Sequence, residues 1–373
     1  MALRKNINGF VSNLIGKPIF KKVVIIESDD WGTIRMSSKK AFESLKKKGY
    51  PVDHCSYNKS DALESNQDLE NLFEVLNNIK GNDGNPAVMT ANNIVANPDF
   101  EKIKDSNFQE YYFEPFTETL KRYPKHDNVM ELYQQGINAG LVMPQFHGRE
   151  HLNVTRWMNA LRNNAKAEKD AFDNNVFSPK ISQSKGYPNE YMDALDFNSK
   201  SELIFQEKSI IEGLDLFEKI WGFRSKSFIA PCYIWHSDLE MTLSTNGVKY
   251  FQGLVNQLQP KDGDGFEYKK IYHYQGQKNK HGQRYFIRNA FFEPTIEPDF
   301  DWESDCLRRI KIAFSLKKPA IISSHRLNYI GFLNPSNRES NLKRLQNLLF
   351  QIKKTWPEVQ FMSTDQLGLL YDT

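Results

Sequence analysis

Apolar residues fall along this chain in two alternating rhythms. Short unbroken runs such as Val23-Val24-Ile25-Ile26 and Ala320-Ile321-Ile322 give way to longer stretches where apolar positions recur every three or four residues. The runs fit strands buried on both faces, and the longer stretches fit amphipathic helices. This pattern predicts strands over 22–27, 86–90, 141–146, 227–230, 248–252, 284–290, 320–323 and 359–362. It predicts helices over 38–48, 66–80, 154–166, 201–221, 237–245, 303–316 and 338–355. Within 201–221, Leu203, Ile210, Leu214 and Phe217 form the inward stripe. Strands that each lead into a helix predict the α/β class, as a distorted (β/α) barrel of seven or eight parallel strands. Three stretches, 50–66, 97–127 and 257–283, break the rhythm and read as long loop insertions.

The runs end in ionisable residues. The first stops at Glu27-Ser28-Asp29-Asp30-Trp31-Gly32, the third at His147-Gly148-Arg149-Glu150-His151, and the seventh at His325-Arg326. Strand ends in such a barrel converge on one rim, so these residues are expected to meet there. Two carboxylates, a pair of histidines four apart and a further histidine are the parts of a hydrolytic metal site. One carboxylate of the Asp29-Asp30 pair would bind the metal, leaving the other to take a proton from water. His147 and His151 would present two imidazoles from one face of a helical turn, with bonds of about 2.0–2.1 Å to zinc. Glu150 lies between them, but the His-Glu-x-x-His order is absent, so it is not assigned as a base. His325 suits proton donation to a leaving group. The remaining histidines, His54, His126, His236, His273 and His281, fall in loops or helix starts and read as surface residues.

Composition narrows the class further. A net charge of +3 argues against a nucleic-acid partner. Three widely spaced cysteines, Cys55, Cys232 and Cys306, suggest no disulfide framework and fit a reducing compartment. No apolar run is long enough to span a membrane, and the N-terminus lacks the pattern of a secretion signal, which predicts a cytoplasmic location. In the first 20 residues, Leu3, Ile7, Phe10, Val11, Leu14 and Ile15 recur at helical spacing beside Arg4, Lys5 and Lys17. This amphipathic segment, 1–20, packs under the barrel of 21–373 or makes a weak membrane-surface contact.

These motifs resemble those of the NodB-homology polysaccharide deacetylases, carbohydrate esterase family 4, of which the chain would be a divergent member. The order of motifs is similar over roughly 22–366. The family's Thr-Phe-Asp-Asp-Gly is similar to Ser28-Asp29-Asp30-Trp31-Gly32, which implies Asp29 as general base and Asp30 as metal ligand. Its His-Ser/Thr-x-x-His is similar to 147–151 and implies His147 and His151 as the other ligands. Ser324-His325 is similar to its fifth motif and implies His325 as general acid. Asp299-Phe300-Asp301-Trp302 resembles the family's Asp-Trp motif, implying Asp301 and Trp302 at the substrate groove, with Trp302 as a wall. Arg-x-Pro-Tyr/Phe is similar to Ile229-Ala230-Pro231-Cys232, where the Cys232 backbone N–H would face an oxyanion.

Here Ile229 stands where the family has the arginine that orients the base. Arg149, Arg224 and Arg326 are candidates to supply that charge, and Arg149 and Arg326 each adjoin a motif residue. Trp31, where the family has glycine, implies a reshaped pocket. The resemblance implies a deacetylase that removes N- or O-acetyl groups from a carbohydrate, a surface polysaccharide or its precursor. It uses Zn2+, or Co2+, Ni2+ or Mn2+ in its place. Two other readings stay open. One is a non-catalytic carbohydrate-binding barrel, which the missing arginine favours. The other is a metal hydrolase of the same fold acting on another bond, such as a cyclic amide or a glycosidic linkage.

Overall fold

The computed structural model describes residues 13–179, 191–263 and 265–372. Nine strands form its main sheet: β1 (Val23–Trp31), β2 (Met89–Ile94), β3 (Val142–Gly148), β4 (Ser227–Ile229), β5 (Tyr250–Gly253), β6 (Arg284–Ile287), β7 (Ala290–Phe291), β8 (Ala320–His325) and β9 (Gln360–Phe361). Their order is β6-β5-β4-β3-β2-β1-β8-β7, with β9 paired to the start of β1. All of these pairings are parallel. The two ends of that order, β6 and β7, are consecutive pieces of one segment. Between them the Arg288 N–H bonds to Gly253 O of β5 at 2.8 Å, and the Asn289 N–H bonds to Ile321 O of β8 at 3.1 Å. One kinked strand therefore closes the sheet into a distorted (β/α) barrel.

The eight expected strands all occur, with shifted ends. β1 runs on to Trp31 although its last third is polar, because Ser28 and Asp29 pair in register with Ser324 and His325 of β8. All nine of its residues are buried. The expected helices are also present, and Leu203, Ile210, Leu214 and Phe217 are buried along Leu203–Trp221. The helix expected over 154–166 ends at Arg162; Asn164 then turns left-handed (φ 55°) before a second helix, Lys166–Phe172. The pattern missed Val129–Asn138 and Thr364–Asp372. The first contains Gly136, a poor helix former. A Cβ there would lie 2.6 Å from the Phe73 ring, so close helix packing demands the glycine.

Two of the insertions contain antiparallel ribbons, Ala96–Pro98 with Phe113–Pro115 and Asn256–Pro260 with Tyr268–Tyr272. Of the amphipathic N-terminal segment, positions 1–12 lie outside the described residues, and Leu14 and Ile15 are exposed. No helix among the described residues is long and apolar enough to cross a membrane. All three cysteines are free. Two histidines read as surface residues are buried instead. His126 lies between the carbonyls of Pro124 and Leu63, and His273 stacks on Tyr285 and bonds to Gln257 at 2.8 Å. Both ring nitrogens of His126 find partners, whereas in His273 only Nε2 does.

Candidate metal and catalytic site

Adjacent strand residues point to opposite faces, so Asp29 and Asp30 cannot both face one cavity from a regular strand. The register of β1 against β2 shifts between Ser28 and Trp31, and Asp30 takes a left-handed φ of 75°. This bulge turns both carboxylates into the same cavity, the re-aiming that bulges perform beside functional sites. His147 is placed the same way. Asn93 pairs with Phe146 and Ile94 with Gly148, so His147 is the extra residue on β3. Gly148 continues with φ 133°, and His151 follows in a bend. The spacing of four is thus made by a bulge and a turn, not by the helical turn expected from sequence. Asp29, Asp30, His147, His151 and His325 all line one cavity of about 310 Å3.

Asp30, His147 and His151 form a group that could hold a metal ion. Asp30 Oδ1 lies 3.5 Å from His147 Nε2 and 3.4 Å from His151 Nε2. Ligand atoms about 2.1 Å from a tetrahedral ion are roughly 3.4 Å apart, so these separations suit one. His147 Nδ1 donates to Ile229 O at 2.9 Å, which leaves its buried Nε2 as a lone pair with no hydrogen-bond partner in the protein. Burial lowers the His151 pKa to about 4, although Asp30 opposes the shift, so this imidazole stays neutral as a ligand must. Burial would raise the Asp30 carboxyl, but its histidine neighbours outweigh that and lower it. One carboxylate oxygen and two imidazole nitrogens form a donor set common to zinc and its neighbours.

Asp29 has different partners. Arg288 grips both of its oxygens at 2.6 Å, and Asn92 Nδ2 donates to Oδ1 at 2.7 Å. Arg288 Nε bonds to Glu27 at 2.7 Å, and Glu27 accepts from Thr364 Oγ1 at 2.7 Å. Burial raises the Glu27 pKa despite Arg288. For Asp29, burial also pushes upward, but Arg288, His147 and His325 prevail and hold it at about 2. Behind Asn92 a chain of side-chain hydrogen bonds runs through Gln252 and Ser227 to Gln145 inside the barrel. This chain fixes the amide orientation and so the side of Asp29 that Asn92 occupies.

His325 faces Asp29 across the cavity, with Nε2 3.9 Å from Oδ2. Its Nδ1 pairs with Glu293 Oε1 at 2.6 Å, and Asn328 Nδ2 donates to the other Glu293 oxygen at 2.8 Å. Burial would lower the imidazole pKa, but Glu293, Asp30 and Asp29 raise it to about 10. The ring is therefore an imidazolium at neutral pH, with Nε2–H turned to the cavity.

Several residues selected from sequence stand elsewhere. Arg149 does not reach Asp29: it pairs with Glu150 at 2.5 Å and with Glu212, and lies over the Phe113 ring. Arg326 does not reach it either, being held by Asp61 at 3.0 Å and Glu64 at 2.9 Å. Arg224 pairs with Asp215 and Glu218. Each guanidinium follows the nearest buried or clustered carboxylates. Trp31 is core, bonded to Ser28 and edge-on to Tyr133, and does not line the cavity. Asp301 caps the helix Trp302–Ser315, and Trp302 packs on Phe300 away from the cavity. Pro231 opens the short turn Pro231–Tyr233 behind the wall, whereas Cys232 and Tyr233, with φ of 56° and 59°, line the cavity.

The residues missed from sequence were Arg288, Glu293, Asn92 and Tyr57. Arg288 follows the apolar Tyr285-Phe286-Ile287, the same strand-end signal that marked the histidines. Glu293 lies in an irregular segment and Tyr57 in the short helix Ser56–Ser60, neither with such a signal.

No family model matches the chain, and no curated protein matches it. Similar solved structures share little sequence with it. A Mycobacterium smegmatis protein assigned as a polysaccharide deacetylase is 11% identical, covering 96% of this chain and 93% of its own, with a TM-score of 0.42. The peptidoglycan deacetylase of Bacillus subtilis is 11% identical, covering 94% and 92%, with a TM-score of 0.32. The 4-alpha-glucanotransferase of Thermococcus litoralis is 10% identical with a TM-score of 0.45. This chain, 93% covered, spans only 40% of that enzyme.

Proposed function

We propose that this protein is a metal-dependent deacetylase of an acetylated carbohydrate, with zinc as its ion and Asp30, His147 and His151 as its ligands. The observation that carries this reading is the division of an adjacent carboxylate pair. One bulge gives Asp30 to two histidines and Asp29 to a bidentate arginine, opposite His325. A dication bound there would supply Lewis-acid polarisation of the acyl carbonyl and acidify an attacking water towards pKa ~7.

The protein's own groups account for the proton transfers. Arg288 and Asn92 keep Asp29 aimed into the cavity, and Asp29 accepts the proton of the attacking water. His325, charged by its contact with Glu293, gives a proton from Nε2 to the departing sugar nitrogen or oxygen. Arg288 fills from a different strand the place of the arginine absent at Ile229. The arginine missing at Ile229 favoured a non-catalytic barrel, and the guanidinium of Arg288 on Asp29 weighs against that reading.

Acetate release from N-acetylated and O-acetylated sugars, measured in metal-loaded and chelator-treated protein, tests the proposal. The expected result is release that disappears with the metal and returns on reloading. Sugar binding without acetate release in loaded protein would contradict it.

A further inference from the structure

The walls of the cavity indicate the size of its substrate. Its lining combines strand-end residues with residues from two loops. Cys55 and Tyr57 stand on the first insertion, and Met192 on the segment after 190. Both loops are clamped from behind in the same manner, by a buried arginine shared between two carboxylates. Arg326 holds Asp61 and Glu64, and Arg156 holds Asp193 and Asp196, each of the latter at 2.8 Å. Backbone bonds add to each clamp: Met36 N–H to Asp61 O at 3.1 Å, and Asn153 N–H to Tyr191 O at 2.7 Å. Opening either loop would expose or unpair buried charges, so the walls are fixed parts of the site rather than lids.

The Tyr57 ring stands edge-on to His325, with centroids 5.7 Å apart, and the Arg35 guanidinium lies 5.8 Å from its centre. Between these walls, about 310 Å3 is at the lower end of the roughly 300–1,000 Å3 of ligand pockets. A sugar within a polymer needs a path for the chain on both sides of the reacting residue. Walls so anchored, around so small a space, leave room for one.

Resting on the deacetylase reading, we infer that the cavity takes a single acetylated sugar residue end-on, as a monosaccharide unit or a chain terminus. Tyr57 and Met192 exclude the sugars that would flank it within a polymer. The aromatic face of Tyr57 packs on the C–H face of the sugar ring beside the proton donor His325. The reaction that supplies this substrate therefore delivers free or terminal acetylated sugar units, and chain extension would follow deacetylation rather than precede it.

The experiment compares N-acetylglucosamine with chitotetraose as probes of the metal-loaded full chain. Calorimetry reads binding, and mass spectrometry locates any free amine. The expected result is affinities within about threefold of each other, because extra sugars gain no subsites. Any acetyl loss would be confined to the terminal residue. In a Tyr57→Ala, Met192→Ala double variant the tetramer should gain about tenfold over the monomer. Wild-type binding of the tetramer about tenfold tighter than the monomer, acetyl loss at interior residues, or binding of neither sugar would overturn the inference. Binding of both sugars without acetate release would instead contradict the deacetylase reading.

Discussion

Arg288 donates to both carboxylate oxygens of Asp29, Nη1 to Oδ2 and Nη2 to Oδ1, each at 2.6 Å. This fork gives two neighbouring aspartates different partners. Asp30 stays with the histidines, and Asp29 is held back from them by a partner of fixed geometry. The bond comes from the closing strand of the barrel, so the chemistry of the site and the closure of the sheet share one residue.

Arg288→Lys keeps the charge and loses the fork. The variant should fold and retain its metal, and kcat should fall by ~10²-fold as Asp29 loses its orientation. Steady-state kinetics beside elemental analysis checks this. An unchanged kcat would show that Arg288 does not position the base.

The pairing of His325 with Glu293 predicts a pH dependence. In metal-free protein the imidazolium should persist until about pH 10, as read from its NMR titration. Because the folded pKa is raised from 6.5, the group's contribution to stability is complete below about pH 6.5 and is lost as pH rises through about 10. Glu293→Gln should bring the titration down towards neutrality and move the alkaline limb of activity with it. A Glu293→Gln variant that titrates like wild type would remove Glu293 from this role.

Arg326 serves the loop that carries Tyr57. Arg326→Met leaves Asp61 and Glu64 buried without their cation, and should cost ~3–5 kcal/mol in urea unfolding at neutral pH. Burial, only partly offset by Arg326, already raises the Asp61 pKa to about 6. In the variant it should rise further, so the loss should be smaller at pH 5, where Asp61 takes up a proton. A loss that does not vary with pH would argue against this pairing as the source.

The barrel was legible because fully buried strands must be continuous apolar runs, and helices that cover them must repeat at helical spacing. Asp29, Asp30, His147, His151 and His325 were legible because ionisable residues directly follow such runs. The positions of Arg149 and Arg326 were not, since sequence adjacency says nothing of direction. Both side chains leave the cavity for carboxylates at Glu212, Asp61 and Glu64. The helical reading of His147 and His151 failed for a related reason. A spacing of four fits a helix, but the bulge that makes it here depends on how β3 pairs with β2. Trp302 starts a helix outside the cavity, which its motif in the sequence does not reveal.

Asp29→Asn should lower turnover by ~10²–10⁴-fold, the range for a lost general base. It should do so without disturbing the ligands, because Asn can still meet Arg288 through its carbonyl oxygen. Activity that survives the substitution would mean that another group takes the proton.

Metal content tests the division of labour between the two aspartates most directly. Elemental analysis of wild type, Asp29→Asn and His151→Ala, purified alike, should find close to one dication per chain in the first two and almost none in the third. Equal metal in all three proteins, or its loss from Asp29→Asn, would contradict the account.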